Sequence, residues 1–268
     1  MHEQNELYAS KIFFNAALPL LKVIATDVPS LKAKFDKLTT VLQVSALDPE
    51  AEGGKYATHF IITEGEWETK LNAAHEAPDV ELEFKSIEAM NAFFKGKIGP
   101  KTLPKMKGVV KNFSAFTAML MTLLKLSDLT GATQPPKDEE TKTLMVKCFF
   151  YLLSSGISQL NKMGHTEIKD WTSKSPDRVY AFAVDGHPEV AAFIRIKAGK
   201  SRAGRGEYKR AMPFFTLRFN SLDSALGILL SIDDMLEATK AGRLIMDGGP
   251  EFGAQLGGFM LEVGGLAK

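Results

Sequence analysis

Five histidines, one cysteine and several adjacent acids are the residues of this chain that could hold a metal or make and break bonds. The histidines, His2, His59, His75, His165 and His187, show no His-x-x-x-His or Cys-x-x-Cys spacing, so no metal site is expected. Gly199-Lys200-Ser201 resembles the end of a phosphate-binding loop, but Ile194 stands where that motif needs glycine. The serines at 154, 155 and 158 surround Gly156 without forming a nucleophile elbow. Acid pairs such as Glu64 with Glu66, Glu139 with Glu140 and Asp233 with Asp234 read as solvated faces, and Cys148 lies inside an apolar run as an inert core thiol. The sequence therefore predicts no catalytic residue, no metal and no cofactor: a protein that is not an enzyme.

What remains is local positive charge. Lys95, Lys97, Lys101, Lys105 and Lys107 follow one another in the first half of the chain. In the second, Lys197, Lys200, Arg202, Arg205, Lys209 and Arg210 face a single acid, Glu207. Lys97, Lys105, Lys200, Arg202 and Arg205 are the candidates for contact with an anionic headgroup or an anionic membrane surface.

Composition bounds the rest. The chain has 268 residues, a formal charge of +1, 45% apolar and 24% charged residues. That is an ordinary globular balance, and it excludes a globally basic nucleic-acid binder. A lone cysteine permits no internal disulfide and fits a reducing compartment, so cytoplasm is the expected location. The N-terminus opens on acidic and polar residues without the basic segment of a signal peptide. The longest uncharged run, Cys148 to Asn161, falls short of the ~20 residues of a spanning helix and reads as a buried core helix.

The chain also repeats itself. Pro78, Leu82, Phe84 and Ser86 recur, at one offset, as Pro213, Leu217, Phe219 and Ser221, and the Lys-x-Phe-Phe start at Lys11 recurs at Lys147. Order and spacing survive half a chain apart, as an internal duplication leaves them. The proline- and charge-rich stretch Thr130 to Lys142 reads as a linker, giving domains 1–133 and 134–268.

Within the first half the periodicity predicts helices over 9–25 and 29–38, and strands over 40–46, 56–63, 66–72 and 80–85. A helix opened by Ser86 and stopped by Gly96, a short strand over 105–110 and a helix over 113–129 follow. The second half predicts a helix over 142–161, strands near 167–171, 178–185, 189–198 and 214–219, a helix over 222–240, a strand over 242–247 and a helix over 251–266. The stretch AGKSRAGRGEYKRA reads as an insertion between its third and fourth strands.

These motifs resemble the sterol carrier protein 2 (SCP2-like, nonspecific lipid transfer) family. The residues carrying the resemblance are Gly65 and Trp67, Pro78 to Phe84, Ser86, Phe93-Phe94-Lys95-Gly96-Lys97 and Met106-Lys107-Gly108. It covers about residues 40 to 127 well and, through the repeat, 165 to 262 more loosely, where Leu230-Ser231-Ile232 replaces Lys95-Gly96-Lys97. The resemblance implies an α+β fold of two tandem SCP2-like domains, each a mainly antiparallel five-stranded sheet layered with helices around an apolar cavity. It implies binding, transfer or presentation, in at least the N-terminal copy, of an apolar lipid or fatty acyl ligand: a fatty acid, acyl-CoA, phospholipid or sterol. The residues it places against that ligand are Phe60, Met90, Phe93, Phe94, Phe116, Met119, Leu120, Leu123, Leu226, Leu229, Phe252 and Leu256. The alternative is an accessory or structural subunit of a lipid or acyl-CoA pathway enzyme, with filled cores. Partners on the first reading are the ligand, a transient anionic membrane and further copies of the chain, with no nucleic acid.

Overall fold

A computed structural model describes residues 3–267. The chain divides into two compact units, unit 1 reaching to Ser127 and unit 2 running from Asp128 to Gly265.

Unit 1 opens with α1 (Gln4–Ile12), which passes through a π-helical turn, Phe13–Ala17, into α2 (Leu20–Asp27) and then α3 (Pro29–Phe35). The extended Val28 before Pro29 breaks the helical run, as a residue preceding proline tends to do. Sheet 1 follows with β1 (Thr39–Leu47), β2 (Lys55–Thr63), β3 (Glu66–Lys70), β4 (Val80–Phe84) and β5 (Lys105–Lys107), in the order β3-β2-β1-β4-β5. The pairing β1·β4 is parallel and the other three are antiparallel, so the sheet is mixed.

Alternation along these strands sorts side chains between faces. Leu42, Val44, Phe60, Ile62, Val80 and Phe84 share the inner face and are buried. The helical layer covers it, since Thr58 on that face donates to the Phe14 carbonyl at 2.9 Å. Ser86 accepts from the Ala89 amide at 3.1 Å and starts α4 (Ile87–Phe94), and α5 (Phe113–Thr130) ends the unit. The strand expected to reach residue 110 stops at Lys107, because Gly108 turns with φ +76° against the Asp79 carbonyl, where any Cβ would collide.

Unit 2 begins with α6 (Glu139–Lys162), capped by Asp138, whose carboxylate accepts from the Thr141 amide at 2.8 Å. Then come α7 (Thr166–Lys174), β6 (Arg178–Val184), β7 (Ala192–Lys197), β8 (Lys200–Arg205), β9 (Phe215–Phe219), α8 (Leu222–Leu229), α9 (Met235–Lys240), β10 (Leu244–Asp247) and α10 (Pro250–Ala267). Sheet 2 has the order β10-β9-β6-β7-β8, with β6·β9 parallel. Strand for strand this is the topology of sheet 1. Both sheets correct the mainly antiparallel expectation in the same way, by a parallel pair at the centre.

Three predicted elements of the second half come out differently. The strand expected near 167–171 is helix α7, because Ile168, Trp171 and Thr172 bury one helical face at i, i+3, i+4 spacing. The helix expected over 222–240 is two: Ser231 turns with φ 58°, and Asp234 caps α9 by accepting from the Leu236 and Glu237 amides at 2.8 and 3.0 Å. Its neighbour Asp233 pairs with Arg243, so this acid pair is structural and not merely solvated. The presumed insertion supplies β8, the edge strand corresponding to β3, which pairs with β7 through a turn at Ala198 and Gly199.

Two stretches, Gln4–Asp27 and Glu139–Lys162, are long and apolar enough to cross a membrane by length and composition alone. Most of each is buried inside the structure. The apolar run of α6 is accounted for by packing against β7, β8 and α8.

Candidate functional site

In unit 2 the chain folds around a cleft of about 690 Å³ between α7, the start of β6 and α10. That volume is in the range of small-molecule sites. Its walls are aromatic: Trp171 from α7, Tyr180 from β6, and Phe252 and Phe259 from α10. The rings support one another, edge-on at 5.0 Å between the centroids of Trp171 and Tyr180 and at 6.2 Å for Tyr180 and Phe252, and tilted at 5.0 Å for Trp171 and Phe259. Arg178 lays its guanidinium 3.8 Å from the Phe214 ring centroid and 5.5 Å from that of Phe252, a cation–π arrangement that holds the charge at the cleft wall.

Polar groups are few and specific. Tyr180 is 1% exposed, and its hydroxyl has no hydrogen-bond partner among the described residues. An unpaired buried hydroxyl costs about 1–3 kcal/mol, so a hydrogen-bonding atom that reached it from the cleft, which the Tyr180 side chain lines, would relieve that cost. Around the opening stand Glu167, Asp170 and Glu262 against Lys174 and Arg178, with Asp170 and Lys174 paired at 2.7 Å and Glu262 3.4 Å from His165. Gly258 on α10 also lines the cleft, and a Cβ built there meets no atom within 4 Å.

Of the residues the sequence places against a ligand, Phe252 lines this cleft. Leu256, Leu226 and Leu229 are buried in unit 2 without lining it. In unit 1, Phe60 packs edge-on against Trp67 at 5.4 Å and Met90 is fully buried. Phe93 and Phe94 sit 5.4 and 5.7 Å from Phe84, and Phe94 stacks on Phe13 at 3.7 Å. On α5, Met119 is buried, Phe116 and Leu123 are half-buried and Leu120 is exposed. Trp171, Tyr180, Arg178 and Phe259 were missed: reading α7 as a strand hid the helical face on which Glu167, Asp170, Trp171 and Lys174 lie together, and the other three join the site only where β6 and α10 meet α7.

The basic candidates do not gather at one opening. Lys97 and Lys105 are exposed, and Lys105 stands opposite Glu83 in the β4–β5 register. Lys200 and Arg202 are exposed on β8, whereas the Arg205 guanidinium lies 5.0 Å from the Tyr151 ring centroid.

A second polar cluster occupies the outer face of sheet 1. Glu81 accepts from Gln43, Ser45 and Lys55, each at 2.7 Å, and from Lys107 at 3.0 Å. Burial alone raises the Glu81 carboxyl, but the hydrogen bonds from Lys55, Ser45, Gln43 and Lys107 outweigh it and pull it down to about 2. The segment after β3 closes over the cluster, with the His75 amide donating to Gln43 at 2.7 Å and His59 Nδ1 donating to the Ala73 carbonyl at 2.7 Å. Every group on Glu81 is satisfied, which marks this cluster as structural.

No family model matches the chain, and no curated protein matches it. Among solved structures it is similar to a conserved hypothetical protein of Thermus thermophilus whose description raises a sterol carrier protein. That likeness has 19% identity over 43% of this chain and 88% of that one, with a TM-score of 0.29. It is similar too to a crystal structure of sterol carrier protein 2, at 19% identity over 43% of this chain and 96% of that one, with a TM-score of 0.28.

Proposed function

We propose that this protein is a tandem pair of SCP2-like modules and that unit 2 binds an apolar ligand in the cleft between α7, β6 and α10, without bond-making chemistry. The observation that carries the reading is the unpartnered Tyr180 hydroxyl in an aromatic-walled cleft: a ligand supplying apolar surface and one hydrogen-bonding atom satisfies both. Apolar burial supplies the affinity, at about 0.8 kcal/mol per methylene. Three acids against two bases around the opening favour a neutral amphiphile over a multiply charged CoA thioester. The buried lone thiol of Cys148 fits a reducing, cytoplasmic setting.

A specific observation favours the alternative for unit 1. Where unit 2 has Arg178 and Tyr180, the matching register of unit 1 has Thr40 and Leu42, and the rings of Phe13, Phe84, Phe93 and Phe94 contact one another. We read unit 1 as a packed scaffold.

Gly258→Leu tests the site. A Cβ at this position meets no atom within 4 Å, so the leucine is expected to project into the cleft, and replacing a helical glycine favours the helix by up to about 1 kcal/mol. NBD-stearate and dehydroergosterol titrations, followed by fluorescence, are expected to show saturable binding to the unaltered chain and at least about tenfold weaker binding to the variant, with thermal stability retained. Equal binding by both proteins places the ligand elsewhere and sinks the reading, as does no saturable binding by the delipidated chain.

A further inference from the structure

One end of sheet 2 concentrates cations beside the cleft. The β7–β8 register sets Arg195 directly opposite Arg202 and Lys197 opposite Lys200. Like charges facing each other across a strand pair destabilise it, and among the described residues a single acid, Asp177, pairs with two of these four. Asp177 grips Arg195 through two hydrogen bonds, at 2.9 and 2.7 Å, and lies 3.7 Å from Lys197. Lys200 and Arg202 are exposed and have no acid partner among the described residues.

The segment leaving β8 returns over the same face. Tyr208 packs edge-on against Phe193 at 5.0 Å, and Lys209, Arg210 and Met212 follow, all exposed, with Met212 at 92%. Two residues on, Phe214 carries the Arg178 guanidinium and packs against Phe252 at 4.9 Å, and Arg178 and Phe252 line the cleft. Arg178 is also the register partner of Ile196, between Arg195 and Lys197. The cationic face and the cleft therefore share one end of the sheet.

We propose that this end of unit 2 is a docking surface for an anionic phospholipid bilayer: Lys200, Arg202, Lys209 and Arg210 meet the headgroups and Met212 enters the interface. Opposed like charges that weaken the hairpin alone become complementary against a negative surface, where each lysine or arginine adds to the attraction. Two features favour a bilayer over a nucleic acid. The most exposed large apolar side chain beside the cations, Met212, is an aliphatic thioether, and the ring preceding Lys209, Tyr208, is engaged edge-on by Phe193. The choice also rests on reading the adjacent cleft as a lipid site, since a carrier exchanges its ligand where its opening meets the bilayer.

The full chain is sedimented with phosphatidylcholine vesicles and with phosphatidylcholine–phosphatidylserine vesicles, at low and high salt. Binding is expected only to the anionic vesicles and is lost at high salt, where exposed charges are screened. Lys200→Glu with Arg202→Glu is expected to weaken it more than about tenfold, and Met212→Ala severalfold. Lys97→Glu with Lys105→Glu, which reverses the same number of charges in unit 1, leaves it unchanged. Dehydroergosterol binding by each variant reports a folded cleft, and Lys200→Gln with Arg202→Gln repeats the test without reversed charge. Docking is overturned if the unaltered chain ignores anionic vesicles, if the β8 double variants bind them like the parent, or if single-stranded DNA of equal phosphate count binds more tightly. Failure of the unaltered chain to bind vesicles while the sterol still binds sinks docking alone. Vesicle binding kept while no sterol binds sinks only the reading of the cleft.

Discussion

Sheets 1 and 2 share strand order and register, and across their outer faces the charges change places. Where β4 and β5 hold Glu83 and Lys107, β9 and β10 hold Arg218 and Asp247. In unit 1 the acids sit on the inner strand and lysines flank them, with Gln43 and Ser45 fully buried beneath a covering segment and Glu81 3% exposed. In unit 2 the positions of Gln43, Ser45 and Glu81 are Ala181, Ala183 and Thr216, and Arg218 bridges Asp185 and Asp247 at the surface at 3.0 and 2.7 Å. The backbone decides which positions meet, and the side chains decide whether the meeting is a buried network or an open ion pair. Unit 1 is tied together on its outer face, while unit 2 keeps a buried hydroxyl without a partner among the described residues, that of Tyr180, on the inner face beside the cleft.

The largest effect that could break this contrast is loss of Glu81. Glu81→Gln leaves Lys55 and Lys107 with Glu83 alone, and removing one partner from a buried, hydrogen-bonded pair costs about 3 kcal/mol or more. Arg218→Ala, at the matching place in unit 2, is expected to cost about 1 kcal/mol or less, because exposed pairs are weak. The chain has two tryptophans, Trp67 in unit 1 and Trp171 in unit 2, so Trp67→Phe and Trp171→Phe backgrounds report each unit separately during urea unfolding. Equal losses in the two units would mean that the outer-face networks do not differ in energy as they do in burial.

Acid sharpens the same comparison. The Glu81 carboxyl falls from 4.5 to about 2 on folding, so it contributes stability that is fully present above pH 4.5 and is lost as pH falls from 4.5 through 2. Over that window unit 1, read through Trp67, is expected to weaken by about 3 kcal/mol, and Glu81→Gln is expected to flatten the slope. Arg218 runs the other way: its hydrogen bonds to Asp247 and Asp185 raise its value, so its own titration contributes nothing in acid. A slope in unit 1 that survives Glu81→Gln assigns the acid sensitivity to other carboxylates.

Much of the architecture was legible because alternation and capping are local signals. Val80, Leu82 and Phe84 alternate into the core, Ser86 and Ser221 each cap the helix that follows, and Asp185-Gly186 turns the chain after β6. The parallel pairing at the centre of each sheet was not legible, because period-two patterning names a buried face and not the direction of a neighbour. The ligand residues were read from apolar stripes, and a stripe does not distinguish a ring packed on other rings, such as Phe94, from one that lines open space, such as Phe259. Tyr180 and Arg178 were invisible for a different reason: their role depends on α7 and α10 meeting over β6, residues far apart in sequence. Lys200 and Arg202 were picked out by charge, but their opposition to Lys197 and Arg195 exists only once β8 pairs with β7.

The smallest expected effect tests the inner faces, where Tyr180 stands in the place of Leu42. A buried tyrosine that has a partner loses about 1 kcal/mol when its hydroxyl is removed. Tyr180→Phe removes a hydroxyl with no partner among the described residues, so the ligand-free chain is expected to be unchanged or slightly more stable in thermal unfolding followed through Trp171. Ligand binding responds in the opposite sense. If the hydroxyl meets a hydrogen-bonding atom of the ligand, the phenylalanine variant binds dehydroergosterol about fivefold more weakly, the equivalent of one ordinary hydrogen bond. A stability loss above about 1 kcal/mol would show that the hydroxyl is already engaged within the folded chain, and the cleft would lose the polar group that distinguishes it from the packed core of unit 1.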